Sequence, residues 1–369
     1  MSKATRTAAT TGVISVLVLV VVLIGMSRFP AEALPDCSQS FPNLVDKPSG
    51  SGVIRVATIN TDGGAFNGES ESVKDTHLDK LSELIACLEA DVVVLSEIHR
   101  LDRYWPEFDM INQIKSRAAD EGYDMERVFQ HQCKLPNGGA DNSKAWVGNA
   151  IMSTDDTNSG GYDNGFLEVN YDHFNDSTER SYAIQLPTDI ASADSSGYPG
   201  GWGHREGRCF ANADTVTRNR GRHKGAVAAV TLGGVEVIGL HLSPSQASAD
   251  VRRWQLEELA SQVEDFRESV DGVLGSGDRL GIMAGDFNED DCIFHGQCPA
   301  GDGVVQYFSG EGWVNATEDI LETTDSGSKI DHIFVRGFDF VDGSDQTHAR
   351  AMNVDFLNHH VVYGDFEES

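Results

Sequence analysis

The stretch Leu280-Gly281-Ile282-Met283-Ala284-Gly285-Asp286-Phe287-Asn288 is apolar up to Ala284 and then stops on a carboxylate and an amide. A short apolar run without alternation is what a strand covered on both faces requires, and here the polar pair lies at its C-terminal end. The pattern recurs along the chain. Residues 53–59 are followed by Asn60 and Asp62, residues 91–96 by Glu97 and residues 235–240 by His241, while Asp331 sits inside the run 330–335. Singly, each is an ordinary strand-end cap or turn former. Together they point to strand ends that converge on one polar site.

Further apolar runs at 149–152, 226–231 and 361–366 complete a set of eight expected strands. Two helices are expected, over residues 73–89 with Leu78, Leu81, Ile85 and Leu88 on one face, and over 249–268 with Trp254, Leu259, Val263 and Phe266. Both stripes read as core-facing. Residues 153–208 are dense in Gly, Asp, Asn and Ser and read as long loops around one or two short strands, leaving one domain of stacked sheets flanked by helices.

The 369 residues are 40% hydrophobic and 23% charged, enough apolar material for a packed core, which excludes general disorder, a collagen-like repeat and a multi-span membrane protein. With 28 Lys+Arg against 58 Asp+Glu the net charge is −30. Such a charge keeps a chain soluble, fits a salty habitat and repels polyanions at long range; it argues against a passive DNA-coating protein but not against an enzyme with a local basic site. At the N-terminus, Lys3 and Arg6 precede the apolar residues 13–26, and Ala31-Glu32-Ala33 follows. The run is shorter than the ~20 apolar residues of a spanning helix, so residues 1–33 are expected to be a signal peptide cut after Ala33. The alternative is an uncleaved membrane anchor, since Ala8 to Gly12 extends the run. Either places the body outside the cytoplasm, with 34–52 as a linker and 53–369 as the domain. The six cysteines then meet an oxidising compartment. Cys292–Cys298 is the one pairing expected from sequence proximity, and Cys87, on a helix's apolar side, reads as a buried thiol.

Carboxylates, amides and histidines at strand ends suit Mg²⁺ or Mn²⁺ and a phosphate ester better than zinc. Six segments in order, Ala57-Thr58-Ile59-Asn60-Thr61-Asp62-Gly63, Asp91-Val92-Val93-Val94-Leu95-Ser96-Glu97, Gly148-Asn149-Ala150-Ile151-Met152-Ser153, Gly239-Leu240-His241-Leu242-Ser243-Pro244, Gly285-Asp286-Phe287-Asn288 and Lys329-Ile330-Asp331-His332-Ile333-Phe334-Val335, resemble the endonuclease/exonuclease/phosphatase superfamily that includes deoxyribonuclease I. The resemblance implies an α+β fold, a four-layer α/β/β/α sandwich of two packed, mainly antiparallel sheets flanked by helices. It implies Glu97 as principal metal ligand with Asp62 and Asn60 beside it, and Asp286 and Asn288 orienting water and phosphate. Asn149 becomes a site-organising amide, Asp331 the orienter of a catalytic histidine, and His241 a second histidine.

The family's closing Ser-Asp-His motif is replaced by Leu357-Asn358-His359. Ungapped alignment makes His359 the catalytic imidazole and puts Asn358 where an Asp helps to bind metal; a shift by one nominates His360 instead. A histidine base beside Asp331 implies pH dependence near neutrality. The resemblance implies a Mg²⁺- or Mn²⁺-dependent phosphodiesterase, with a structural Ca²⁺ left open, and the N-terminal segment makes it a secreted or membrane-anchored one. A non-specific endonuclease on extracellular DNA is the first expectation, supported by the basic run Arg218-Asn219-Arg220-Gly221-Arg222-His223-Lys224, whose Arg222 and Lys224 would contact flanking phosphates. The alternatives are a sphingomyelinase-like phospholipase or phosphatase, and a catalytically impaired surface binding protein motivated by Asn358. No dedicated protein partner is evident, and a monomer is the default.

Overall fold

The computed structural model describes residues 36–50, 52–61, 71–101, 108–134, 145–154, 166, 182–186, 224–231, 233–242, 249–288, 312–341 and 349–369. The first half contains α1 (Cys37–Ser40), β1 (Val53–Asn60), α2 (Glu71–Leu88), β2 (Val92–Leu101), β3 (Phe108–Asp109), α3 (Met110–Asp120), β4 (Glu126–Lys134), β5 (Ala145–Ser153) and β6 (Tyr182–Leu186). The second contains β7 (Lys224–Val230), β8 (Glu236–His241), α4 (Ala249–Leu274), β9 (Gly281–Asp286), β10 (Val314–Asn315), β11 (Asp331–Arg336), β12 (Phe338–Phe340), β13 (Ala349–Met352) and β14 (Val361–Glu368).

Successive side chains of a strand point to opposite faces, so a strand that is apolar throughout feeds two cores. In β1, Ala57 and Ile59 pack with Leu78, Leu81 and Ile85 of α2, while Val56 faces the other way. In β9, Met283 packs with Phe266 of α4, and Ile282 and Ala284 join Val56, Val94 and Ile151 in a core between the sheets. Three apolar leaves separate four layers: helices α2 and α3, an eight-stranded sheet, a six-stranded sheet, and helix α4. This is the four-layer α/β/β/α sandwich of two mixed sheets.

Strand order is β12-β14-β1-β2-β5-β4 in the first sheet, with β13 on β14 and β3 on β2, and β10-β11-β9-β8-β7-β6 in the second. The two parallel pairs are β1/β2, joined through α2, and β8/β9, joined through α4. Parallel register sets Asn60, the last residue of β1, beside Ser96 and so next to Glu97 within β2, and sets His241 level with Asp286, so the four collect at one edge of the sandwich. Antiparallel β11 and β14 start at that edge, which adds Asp331 and His359.

Several expectations are corrected. Residues 36–50 are not a free linker: Phe41 is buried in the helix-side core, Leu44 packs against it, and Val45 N donates to the Tyr363 hydroxyl. Arg55, buried between β1 and β14, donates two hydrogen bonds to Asp365 at 2.7 and 2.8 Å and a third to Val45 O. Cys87 is not a thiol; it forms a disulfide with Cys37 that closes a 50-residue separation. Cys292 and Cys298 lie outside the described residues. The helix α3, with Met110, Ile111, Ile114 and Ala118 buried, and strands β3, β4, β10, β12 and β13 lie beyond the expected elements. In 153–208, β6 is one short strand, and Trp254's side chain lies outside the described residues. No helix among the described residues is long and apolar enough to cross a membrane, and residues 1–33 lie outside them.

Candidate active site

The two-residue period that divides the cores also aims the polar strand ends. Val56 faces the inter-sheet core, so Thr58 and Asn60 do too; Ala284 does, so Asp286 follows; Ile333 and Ile151 place Asp331 and Asn149 on the same side. The inter-sheet leaf is thus apolar in its middle and polar at this edge. Glu97 would break the rule, because Leu95 and Ile98 both belong to the helix-side core. The pairing of β2 with β5 shifts between Leu95 and Ile98, and Glu97 adopts a left-handed φ of 60°. This bulge inserts the residue that brings Glu97 to the site side, where its Oε1 lies 3.8 Å from His241 Nε2.

Cross-sheet hydrogen bonds hold the edge closed. Asn60 Nδ2 donates to Asp286 Oδ2 at 2.9 Å, Ser96 Oγ to Leu240 O at 3.3 Å, and Asn149 Nδ2 to Gly225 O at 2.9 Å. In neighbouring strands His241 and Asp331 sit level with Asp286 on either side of it. His241 Nε2 is 3.4 Å from Asp286 Oδ2. Asp286 Oδ1 accepts from Asn288 N at 2.7 Å, and Asn288 Nδ2 donates to Leu242 O at 3.0 Å, so Asn288 closes the turn after β9 with its own φ at 50°. Gly285, before Asp286, has φ 144°, and a Cβ there would fall 2.0 Å from Leu240 O. Only glycine allows β8 and β9 to approach this closely.

His359 Nδ1 lies 2.8 Å from Asp331 Oδ2. A donating Nδ1–H leaves Nε2 of the same ring as the proton-accepting nitrogen, the tautomer a general base requires. Its neighbour points elsewhere: His360 Nε2 lies 3.2 Å from Asn353 Nδ2 and 3.4 Å from Asp325 Oδ1, outside the carboxylate cluster. Asn358 is exposed, and its carbonyl accepts from Asp325 N. Asp62 and Arg222 lie outside the described residues, as does the Lys224 side chain.

The floor of the site is buried, with Asn60, Asn149, His241, Asp286 and Asp331 all inaccessible, and Glu97 and His359 form a partly exposed rim. Asp286, Asp331 and His359 present ligand atoms within 4.8 Å of one another. Asp331 Oδ1 and Asn149 Oδ1 are buried without a hydrogen-bond partner, an arrangement that costs free energy unless a cation or water satisfies it. Three carboxylates plus such oxygen atoms are hard donors and fit a divalent cation of the Mg²⁺ type. Asp286 and Asp331 are the carboxylates that would hold it, with Glu97 on the rim beside His241.

Burial opposes a charge on His359, but Asp331's charge and hydrogen bond, with the charges of Asp286 and Glu97 behind it, prevail and push the imidazole up to about 9 from 6.5. In the cation-free protein His359 is therefore protonated at neutral pH. The stabilisation this confers is complete below pH 6.5 and disappears as pH rises through about 9. Urea unfolding of the cation-free chain should show stability falling across that window, with the fall absent in His359→Gln. Added Mg²⁺, by offsetting the carboxylates, should move the His359 transition down toward neutrality.

Among solved structures the chain is similar to an endonuclease/exonuclease/phosphatase protein from Beutenbergia cavernae, at 19% identity and TM-score 0.53 over 86% of this chain and 72% of that one. It also aligns with the human Nocturnin catalytic domain, at 14% identity and TM-score 0.47 over 86% and 94% of the two chains. A third alignment is with D. rerio TDP2 complexed with a single-strand DNA product, at 14% and 0.46 over 85% and 99%. No protein-family model matches the sequence, and no curated protein does. The chain has the endonuclease/exonuclease/phosphatase fold, that of deoxyribonuclease I.

Proposed function

We propose that this chain is a divalent-metal-dependent phosphodiesterase acting outside the cytoplasm, with DNA as its substrate. The observation that carries the reading is the His359–Asp331 pair at 2.8 Å, set against Asp286, His241 and Glu97 at the common edge of the two sheets. Phosphodiester hydrolysis needs an oriented base for water, positive charge against the non-bridging oxygens, and a donor for the leaving oxygen. His359, held by Asp331, accepts the proton of the attacking water at Nε2. Asp286, fixed by Asn60 and Asn288 N–H, orients that water. His241 Nε2 donates toward the leaving side. A bound divalent cation supplies the positive charge on the phosphoryl group.

DNA is favoured by the basic run from Arg218 to Lys224, which enters β7 in a chain of net charge −30. That net charge gives the reading a test. A basic nuclease weakens on DNA as salt is added, whereas this chain repels a polyanion at low ionic strength. Supercoiled plasmid incubated with the purified chain should be nicked in Mg²⁺ or Mn²⁺ and left intact in EDTA. The rate at low substrate should rise as NaCl increases from about 10 to 100 mM, as the Debye length shrinks from about 30 to 10 Å. Absence of nicking in either metal would overturn the reading and direct the assay to sphingomyelin and small phosphoesters.

A further inference from the structure

The turn before β11 contains a residue that reaches both halves of the His359–Asp331 pair. Thr323 is fully buried. Its hydroxyl oxygen accepts from the backbone N–H of Ile330 at 2.9 Å and of Asp331 at 3.0 Å. Its carbonyl accepts from His360 N at 2.7 Å, immediately after His359. Ile330, held by the same hydroxyl, in turn accepts through its carbonyl from Phe287 N at 2.8 Å, next to Asp286. The following residue, Thr324, bridges to His359. One threonine thus joins the backbones that carry Asp331, His359 and Asp286, although these come from three separate stretches of chain.

We infer that Thr323 is the positioning residue of the site: its hydroxyl sets Asp331 at the distance from which that carboxylate can hold His359. The rest of the turn has its own support, since Thr324 Oγ1 accepts from Ser328 N at 3.1 Å and Thr323 N donates to Ser328 O at 2.8 Å. The Thr323 hydroxyl is therefore not what closes the turn; it acts on the two amides that lead into Asp331. Valine has the same shape without an acceptor. It leaves the Asp331 N–H buried and unpaired, and the 330–331 backbone must move to find another partner. A shift of about 1 Å in a catalytic group is enough to cost on the order of 10²-fold in rate.

The catalytic consequence rests on the phosphodiesterase reading, but the positional claim is measured apart from it. In the cation-free full chain, the hydrogen-bonded Nδ1–H of His359 gives a downfield proton resonance, assigned by its loss in His359→Ala. The resonance should vanish or move strongly upfield in Thr323→Val and be kept in Thr323→Ser. Persistence in the valine variant, or equal loss in the serine variant, would overturn the inference. Should Thr323→Val fail to fold, Thr323→Ser against Thr323→Ala makes the same comparison. In a chain that cleaves plasmid, Thr323→Val should lower kcat about 10²-fold with KM little changed and cause no further loss in a His359→Ala background. A parent that leaves plasmid intact in both metals refutes the nuclease reading and leaves the resonance test standing.

Discussion

His359→Ala should lower kcat for plasmid nicking by about 10²–10⁴-fold, the usual contribution of a positioned general base, while His360→Ala should stay within about threefold of the parent. The two residues are adjacent, yet their surroundings differ completely. His359 Nδ1 meets Asp331 Oδ2 at 2.8 Å and lies in the field of Asp286 and Glu97. His360 turns toward Asn353 and Asp325, and what it gives the site comes from its backbone N–H to Thr323 O, which alanine preserves. Nicking of supercoiled plasmid, followed at saturating Mg²⁺ and several pH values, checks both variants. Equal losses in the two, or a larger loss in His360→Ala, would sink the assignment. The His359 variant should also lose the pH dependence of stability between 6.5 and about 9.

Gly285→Ala has the largest expected effect on the fold, a loss of about 3 kcal/mol or more in urea unfolding, together with loss of activity. Two penalties coincide. The backbone there sits at φ 144°, a conformation L side chains rarely adopt, and the new methyl would fall 2.0 Å from Leu240 O and 2.9 Å from Leu240 C. The obstacle is backbone in the neighbouring strand, so no rotamer change relieves it. Relief requires β9 to separate from β8 just where His241 and Asp286 stand level. Gly272→Ala is the control: a Cβ there meets nothing within 4 Å, and it lies within helix α4, so the change should be neutral or slightly stabilising. A Gly285→Ala protein with parental stability and activity would refute the close approach of β8 and β9.

The residues legible in the sequence were those whose own neighbourhoods announced them. Eight apolar runs stood out because their strands are covered on both faces, and α2 and α4 because Leu78, Leu81 and Ile85, or Leu259, Val263 and Phe266, repeat at helical spacing. Strand β4 did not, since Glu126, Arg127, Gln130 and Gln132 dilute its apolar residues. In helix α3 the helical period of Met110, Ile111, Ile114 and Ala118 is confined to 11 residues. The 36–50 segment was illegible for a different reason. Its docking depends on single groups, Phe41, Cys37 and Val45, and their partners Cys87 and Tyr363 lie far along the chain.

Local sequence shows where apolar runs give way to carboxylates, amides and an imidazole, because a strand covered on both faces stays apolar until it reaches the polar edge of the sandwich. Asn60, Glu97, His241, Asp286 and Asp331 are legible in this way, whereas Asn149, in the middle of β5, is legible only through the family resemblance. How they meet is a matter of tertiary packing. Glu97 turns inward through a bulge, visible as a shift in pairing with β5. His359 rather than His360 faces Asp331, through the bridge to Thr324 and the start of β14 just beyond it. Local sequence specifies conformation through contacts a few residues apart; Asp331 and His359 come within reach of each other because two sheets pack face to face, with the Thr323 turn holding the two backbones together, a relation that no short stretch of chain encodes.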